Sequence, residues 1–106
     1  MDHPTKAENL AEMIAYQEGA VVSKTLLKKS TGSVTLFAFD QGQGLSEHSA
    51  PYDAMVCVLD GEAEITIGGE PKIVSGGGMR ILPANIPHAL KALKAFKMML
   101  VMIRNE

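Results

Sequence analysis

Two histidines could take part in chemistry, because each lies where a loop meets a run of strand-forming residues. His48 belongs to GQGLSEHSAPYDAMVCVLDG, which begins polar and glycine-rich and ends apolar, and His88 opens the run HALKAL. A histidine at such a junction can direct a ring nitrogen into a cavity. One imidazole alone binds little, so the question is whether the fold brings the two rings together.

The other reactive side chains suggest no catalytic nucleophile. Cys57 is the only cysteine and lies inside an apolar run, which is typical of a buried, inert thiol. Neither a Ser-His-Asp nor a Cys-His arrangement can be argued, because strand alternation directs Cys57 away from the histidines and acidic partners are lacking. His3 lies in the leading tail and is assigned no role. We therefore expect no catalytic residue.

Length and composition indicate one ordinary globular domain over residues 1–106. Hydrophobic residues make up 46% and charged residues 21%, which is not the composition of a disordered chain. A net charge of −2 gives no basic surface for nucleic acid, and clustered lysines such as Lys28 and Lys29 are interpreted as solvated. The longest apolar runs are too short to cross a membrane. The start of the chain lacks the pattern of an export signal, so we expect a cytoplasmic protein.

The sequence pattern predicts an all-β fold, whose strands must position the two histidines. Short runs rich in β-branched and aromatic residues alternate with glycine-containing turns, and no long helix lies between them. This spacing predicts a sandwich or barrel rather than βαβ units. The eight predicted strands are AVVSKTLLKK, SVTLFAFD, YDAMVCVL, EAEITI, PKIV, MRILP, HALKAL and FKMMLVMI.

Two turns and the N-terminal segment give more local predictions. Asp60-Gly61 and Gly68-Gly69 each lie between two predicted strands, and both pairs favour a type I′ hairpin. Residues 1–19 form an N-terminal arm, helical or extended. Thr5-Lys6-Ala7-Glu8 has the spacing of a capping box, which predicts a short helical turn there.

Two of the predicted strands are apolar on both faces, unlike EAEITI, in which apolar and polar residues alternate. They run from Ala54 to Leu59 and from Met98 to Ile103. One face of each packs in the core, and something must cover the other. In a chain of this length the cover is either the N-terminal arm or a second copy. We expect a homodimer.

The sequence resembles a small single-domain cupin, a double-stranded β-helix or jelly-roll barrel, over residues 34–103. The first cupin motif places a glycine, a histidine and a second glycine at the positions of Gly42, His48 and Gly61. The second motif is matched by Gly77, Pro83 and His88 in GGMRILPANIPHALKA. The departures are Ala50 at a histidine position, Ala54 at the glutamate position, Asn85 at a glycine position and Ala92 at an asparagine position.

The resemblance implies a site inside the barrel. In metal-binding cupins, three histidines and a glutamate converge there on a metal such as Zn, Ni, Fe or Mn. Only His48 and His88 occupy ligand positions in this chain, so the metal site is expected to be weak or absent. Small alanines at the other two positions leave room for a ligand. Positions 48, 50, 54, 56 and 58 are predicted to share one strand face, so the pocket prediction comprises His48, Ala50, Ala54, Val56, Val58 and His88.

Three classes of function remain open. The favoured one is a non-catalytic protein that binds or senses a small molecule in the barrel. The alternative is a metal-dependent enzyme of the dioxygenase or isomerase type, in which water and substrate complete a two-histidine centre. The third is a structural or interaction scaffold, which predicts a barrel interior filled by side chains.

Overall fold

The computed structural model describes residues 7–104, which form two antiparallel sheets packed face to face in a jelly roll. The five-stranded sheet has the order β1-β2-β9-β4-β7, and the four-stranded sheet has the order β3-β8-β5-β6. The predicted all-β jelly-roll fold is confirmed. The nine strands of this part of the chain are β1 Val21–Lys29, β2 Gly32–Phe39, β3 Gly44–His48, β4 Asp53–Asp60, β5 Glu62–Ile67, β6 Glu70–Ser75, β7 Met79–Leu82, β8 His88–Ala92 and β9 Phe96–Ile103.

Strand β3 was not among the strands that the sequence predicts. Its residues are exposed except for the half-buried Leu45, because within residues 7–104 it is an edge strand that pairs with β8 alone. The prediction that positions 48 to 58 share one strand face is therefore wrong. His48 ends β3 in the four-stranded sheet, whereas Ala54, Val56 and Val58 lie on β4 in the other sheet.

One of the two predicted hairpins forms. At Gly68-Gly69 both φ angles are positive, at 57° and 82°, and Ile67 pairs with Glu70 across the turn, as a type I′ hairpin requires. Asp60-Gly61 does not form a hairpin, because β4 and β5 belong to different sheets and the chain crosses between them here. A Cβ on Gly61 would lie 1.9 Å from the Ala95 carbonyl oxygen, so close approach of the backbone also requires glycine.

The core lies between the sheets and positions the strands that carry the histidines. Phe39 and Phe96 are fully buried and stack with ring centroids 4.5 Å apart. Val56 and Met98 of the five-stranded sheet face Ile65 of the four-stranded sheet in the same cluster.

The N-terminal arm packs on the outer face of the five-stranded sheet. Ile14 is buried against Leu36 and Ala38 of β2, and the Tyr16 hydroxyl donates a 2.6 Å hydrogen bond to Asp60. A 3-10 helical turn spans Leu10–Glu12, with the Asn9 side chain accepting from the Ala11 N–H at its N-cap. The predicted capping box begins at Thr5, outside the described residues. Within residues 7–104 no helix is long and apolar enough to cross a membrane.

Candidate functional site

The two histidines meet as cross-strand partners on neighbouring strands. His48, the last residue of β3, pairs with His88, the first residue of β8, after an irregularity in register that follows Leu45. Their ring centroids are 4.4 Å apart and the ring planes are inclined by 70°, which is an edge-to-face contact. His88 is buried, with 7% of its surface exposed, whereas His48 is exposed. One ring therefore lies inside the barrel and the other nearer to solvent.

Backbone carbonyls orient both rings in the same way. Nδ1 of His48 lies 3.0 Å from the Ser46 carbonyl oxygen, and Nδ1 of His88 lies 3.3 Å from the Ile86 carbonyl oxygen. Since a carbonyl oxygen can only accept, each neutral ring is expected to carry its proton on Nδ1. The Nε2 lone pair of each ring then remains available to accept a hydrogen bond or to act as a ligand.

The environment of His88 disfavours its charged form. Burial lowers the pKa of His88 most, and the nearby His48 lowers it further. The hydrogen bond to the Ile86 carbonyl opposes this by stabilising the imidazolium. The balance is a lowered pKa, so His88 is neutral over a wider range of pH than a free histidine.

The histidines line a small, largely apolar cavity of about 70 Å³. Ala50, Ala54 and Val56 line it as well, so two of the alanines at cupin ligand positions contact the same space as the rings. Val58 does not line it, because this buried residue lies deeper in the core. The remaining lining residues are Leu45, Tyr52, Leu82, Leu90, Met98, Leu100 and Met102.

Most of the apolar wall of this cavity could not be assigned from the sequence. Met98, Leu100 and Met102 are alternate residues of β9 and face the interior together, but the doubly apolar run hides which alternate set faces inward. Cys57 lies on the outer face, opposite Met99 of β9 and Met79 of β7. It is half-buried rather than buried, because sheet packing covers only the inner face of β4.

The residues present do not fit a tightly held metal ion. Within the described part of the chain, no group of three or more His, Cys, Asp and Glu side chains could hold one. Two neutral imidazoles supply fewer donors than the three or four protein ligands of a usual site, and no carboxylate offsets the charge of a divalent cation. Alanine methyl groups stand at the other two positions.

Comparisons with known proteins agree with this architecture. The family model described as "Cupin domain" matches residues 35–104. A protein of unknown function from Streptococcus pyogenes is 40% identical, with a TM-score of 0.93 over 100% of this chain and 92% of that one. A Cupin 2 conserved barrel domain protein from Leptotrichia buccalis is 46% identical, with a TM-score of 0.88 over 92% of this chain and 47% of that one.

A cupin superfamily protein from Desulfitobacterium hafniense is 26% identical, with a TM-score of 0.91 over 96% of this chain and 94% of that one. No curated protein matches the sequence. The family match spans well over half of the chain, and it includes both histidines and the strands that carry them. On these grounds the chain belongs to the cupin family.

Proposed function

We propose that this protein binds or senses a small molecule in the barrel cavity without a tightly held metal. The observation that carries the proposal is the pairing of His48 and His88 in one apolar cavity, each with Nδ1 against a backbone carbonyl. This arrangement leaves two Nε2 acceptors among aliphatic and thioether side chains. A few placed polar groups in an apolar wall are typical of ligand sites.

The cavity limits the class of ligand. About 70 Å³ has room for a few water molecules or a small organic group, but not for a whole drug-sized molecule. The ligand is therefore small, or it inserts only an end group. Because neutral Nε2 atoms accept hydrogen bonds, the inserted group carries a hydroxyl or N–H donor beside an apolar portion.

The lining chemistry favours binding over side-chain catalysis. The residues that line the cavity include no carboxylate, thiol or aliphatic hydroxyl. General acid–base chemistry would rest on the two imidazoles and the Tyr52 phenol, and among residues 7–104 no carboxylate in the lining orients or charges them. A cavity also argues against a pure scaffold, for which the interior is filled by side chains.

The test is an NMR titration of the histidine Cε1–H resonances with ethanol, 1-propanol and phenol. We expect at least one probe to shift the His88 resonance saturably. Ala50→Leu fills the cavity from its lining and should abolish the shift. Ala89→Leu is the matched control, because it makes the same change on β8, outside the lining of the cavity. If no probe shifts His88, or if both variants behave like wild type, the binding function is refuted and the scaffold is favoured.

The metal-dependent enzyme is the second candidate, and the two available Nε2 atoms are the observation that favours it. Elemental analysis of freshly purified protein separates the two functions, since a resident metal would be present near stoichiometric amounts. We expect less than about a tenth of an equivalent, because two neutral ligands bind divalent metals weakly. A stoichiometric metal that survives dialysis would instead support the enzyme.

A gain-of-function variant tests the geometry behind both candidates. Ala50 and Ala54 contact the same cavity as the histidines, so Ala50→His with Ala54→Glu would add an imidazole and a carboxylate around one centre. Calorimetric titration of Ni²⁺ or Zn²⁺ should show tighter binding than in wild type or either single variant. A folded double variant with wild-type affinity would show that the four positions do not converge.

A further inference from the structure

A second and larger cavity lies beside the first, and its lining is cationic. It has a volume of about 560 Å³ and opens where β1 and β2 extend at the end of the five-stranded sheet. Lys28, Lys29 and Arg104 supply three positive charges, and among residues 7–104 no carboxylate lines the cavity. Because the whole chain carries a net charge of −2, this concentration of cations is local and not a general property of the surface.

A bulge in β1 places a lysine opposite a serine in this cavity. Thr25 pairs with Thr35, but the register shifts before Leu27, which pairs with Val34. Lys28 consequently lies opposite Ser33 rather than Gly32, and both line the cavity. Bulges commonly redirect side chains at functional sites. Lys28 therefore lines the cavity together with three hydroxyl-bearing residues of the same sheet face, Thr25, Ser33 and Thr35.

The hydroxyl of Ser33 lacks a partner. Its Oγ is buried and makes no hydrogen bond within the described part of the chain. Buried polar side chains nearly always have a partner, so this hydroxyl, whose residue lines a cavity, is available to pair with a water molecule or a bound group once the side chain turns towards the cavity. Arg104 is held nearby, since its backbone N–H donates to the Thr31 carbonyl at 2.8 Å and its guanidinium lies 5.2 Å from the Tyr52 ring centroid.

We propose that this cavity binds an oxyanion, a phosphate or a carboxylate group. Guanidinium and ammonium groups donate charge-assisted hydrogen bonds to such oxygens, and the Ser33 hydroxyl supplies a further donor. The site is separate from the histidine cavity but adjoins it, because Met102 lines both and Arg104 contacts Tyr52 of the histidine cavity. It gives the protein an anion site that the cupin ligand positions do not include.

The test is an NMR titration of the full chain with inorganic phosphate and with acetate, at constant ionic strength maintained with sodium chloride. We expect saturable shifts in the backbone amides of Ser33 and Thr35 and in the side-chain Nε of Arg104. Tighter binding of phosphate identifies a phosphate-bearing ligand, and tighter binding of acetate identifies a carboxylate. If neither anion shifts these resonances, the proposal is overturned.

Charge-matched variants distinguish a built site from general attraction. Lys28→Gln should weaken binding roughly fivefold or more, because it removes a charged donor, and Ser33→Ala should weaken it by about threefold. Lys24→Gln is the control, because it removes the same charge from the same strand. Lys24 pairs with Leu36 and lies on the face of the sheet opposite to Lys28, so this variant should change the affinity less than twofold. Equal weakening by Lys24→Gln and Lys28→Gln would overturn the proposal. The histidine resonances report separately on the barrel cavity, so failure of one site does not imply failure of the other.

Discussion

The two faces of the five-stranded sheet are similarly apolar but differ in what covers them. On the inner face the second sheet buries Phe39, Phe96 and Met98 completely. On the outer face, one residue from each strand forms a continuous cross-strand row, yet Ile81 and Leu27 at its ends remain 49% and 46% exposed. In strand order this outer row is Leu27, Val34, Val101, Met55 and Ile81.

The N-terminal arm accounts for this difference only in part. It buries Leu36 and Ala38 and packs against Met99. These three residues belong to other cross-strand rows of the outer face. The outer row lies beyond the reach of Ile14. Hydrophobic pattern alone therefore does not determine burial, because burial also requires an opposing surface. The inner face lines the candidate ligand sites, and the outer row is the surface through which we expect association.

The largest expected effect is a loss of stability when the core on the inner face is disrupted. Phe96→Ala removes a fully buried ring that stacks on Phe39, so we expect the free energy of unfolding to fall by about 3–5 kcal/mol. Urea denaturation followed by circular dichroism measures it. Ile81→Ala is the control on the outer row and should cost less than about 1 kcal/mol, since half of that side chain is already exposed. Equal losses would show that the two faces are buried to the same extent in solution.

The second prediction concerns what covers the outer row. We expect a second copy of the chain, because an exposed apolar row of this kind is commonly covered when identical copies associate about a two-fold axis. Sedimentation velocity should give a dimer for wild type at micromolar concentration. Val101→Glu puts an unpaired charge at the centre of the row and should give a monomer.

Ile73→Glu is the matched control for this substitution. Ile73 is 62% exposed and lies on β6 in the other sheet, so its replacement should leave the dimer intact. A wild type that sediments as a monomer, or dissociation caused equally by both substitutions, would contradict a dimer through the outer row.

Features of the fold that depend on neighbouring residues could be predicted from the sequence. Alternation in β5 and the glycine pair at Gly68-Gly69 are local signals, and both led to correct predictions. The hairpin at Asp60-Gly61 was wrong because its strands pair with partners distant in sequence. Strand β3 was missed because an exposed edge strand needs little hydrophobic alternation.

In the candidate sites, too, local features could be predicted from the sequence, whereas features that depend on residues distant in sequence could not. Both histidines were identified, but their direct pairing depends on the register of β3 against β8. Lys28 and Lys29 were interpreted as solvated, because a basic pair in isolation usually is. Both are exposed in the structure, as that interpretation expects, and the proposed anion site rests on the bulge in β1 and the unpartnered Ser33 hydroxyl, neither of which can be found from residue types and spacing.

A smaller effect is expected where the arm is attached to the outer face. Tyr16→Phe keeps the ring but removes the hydrogen bond to Asp60, which should cost about 1 kcal/mol of unfolding free energy. Tyr52→Phe is the control, because no hydrogen bond of the Tyr52 hydroxyl lies within residues 7–104. Thermal denaturation compares the two. Equal stabilities of both variants and wild type would show that the contact does not fasten the arm.

The pH dependence of this contact gives a further check. Burial raises the pKa of Tyr16 most, and the hydrogen bond and negative charge of Asp60 raise it further. The unfolded chain therefore loses the tyrosine proton more readily than the folded one. The stability difference between wild type and Tyr16→Phe should be complete below about pH 10, the ordinary tyrosine value, and decline as the pH rises above it.

The smallest expected effect is at His88, a buried polar side chain that lines the barrel interior. Burial and then the neighbouring His48 lower the pKa of His88, so the unfolded chain takes up a proton more readily than the folded protein. Wild type should lose stability as the pH falls below about 6.5, the ordinary histidine value, and this loss should be smaller in His88→Gln. His48→Gln should raise the pKa of His88 only partway, because burial is the larger cause. Chemical denaturation between pH 5 and 8, together with NMR titration of the His88 Cε1–H, measures both. A His88 that titrates at the ordinary value in wild type would place its ring in solvent, and the contrast between a closed inner face and an open outer row would then fail at the cavity itself.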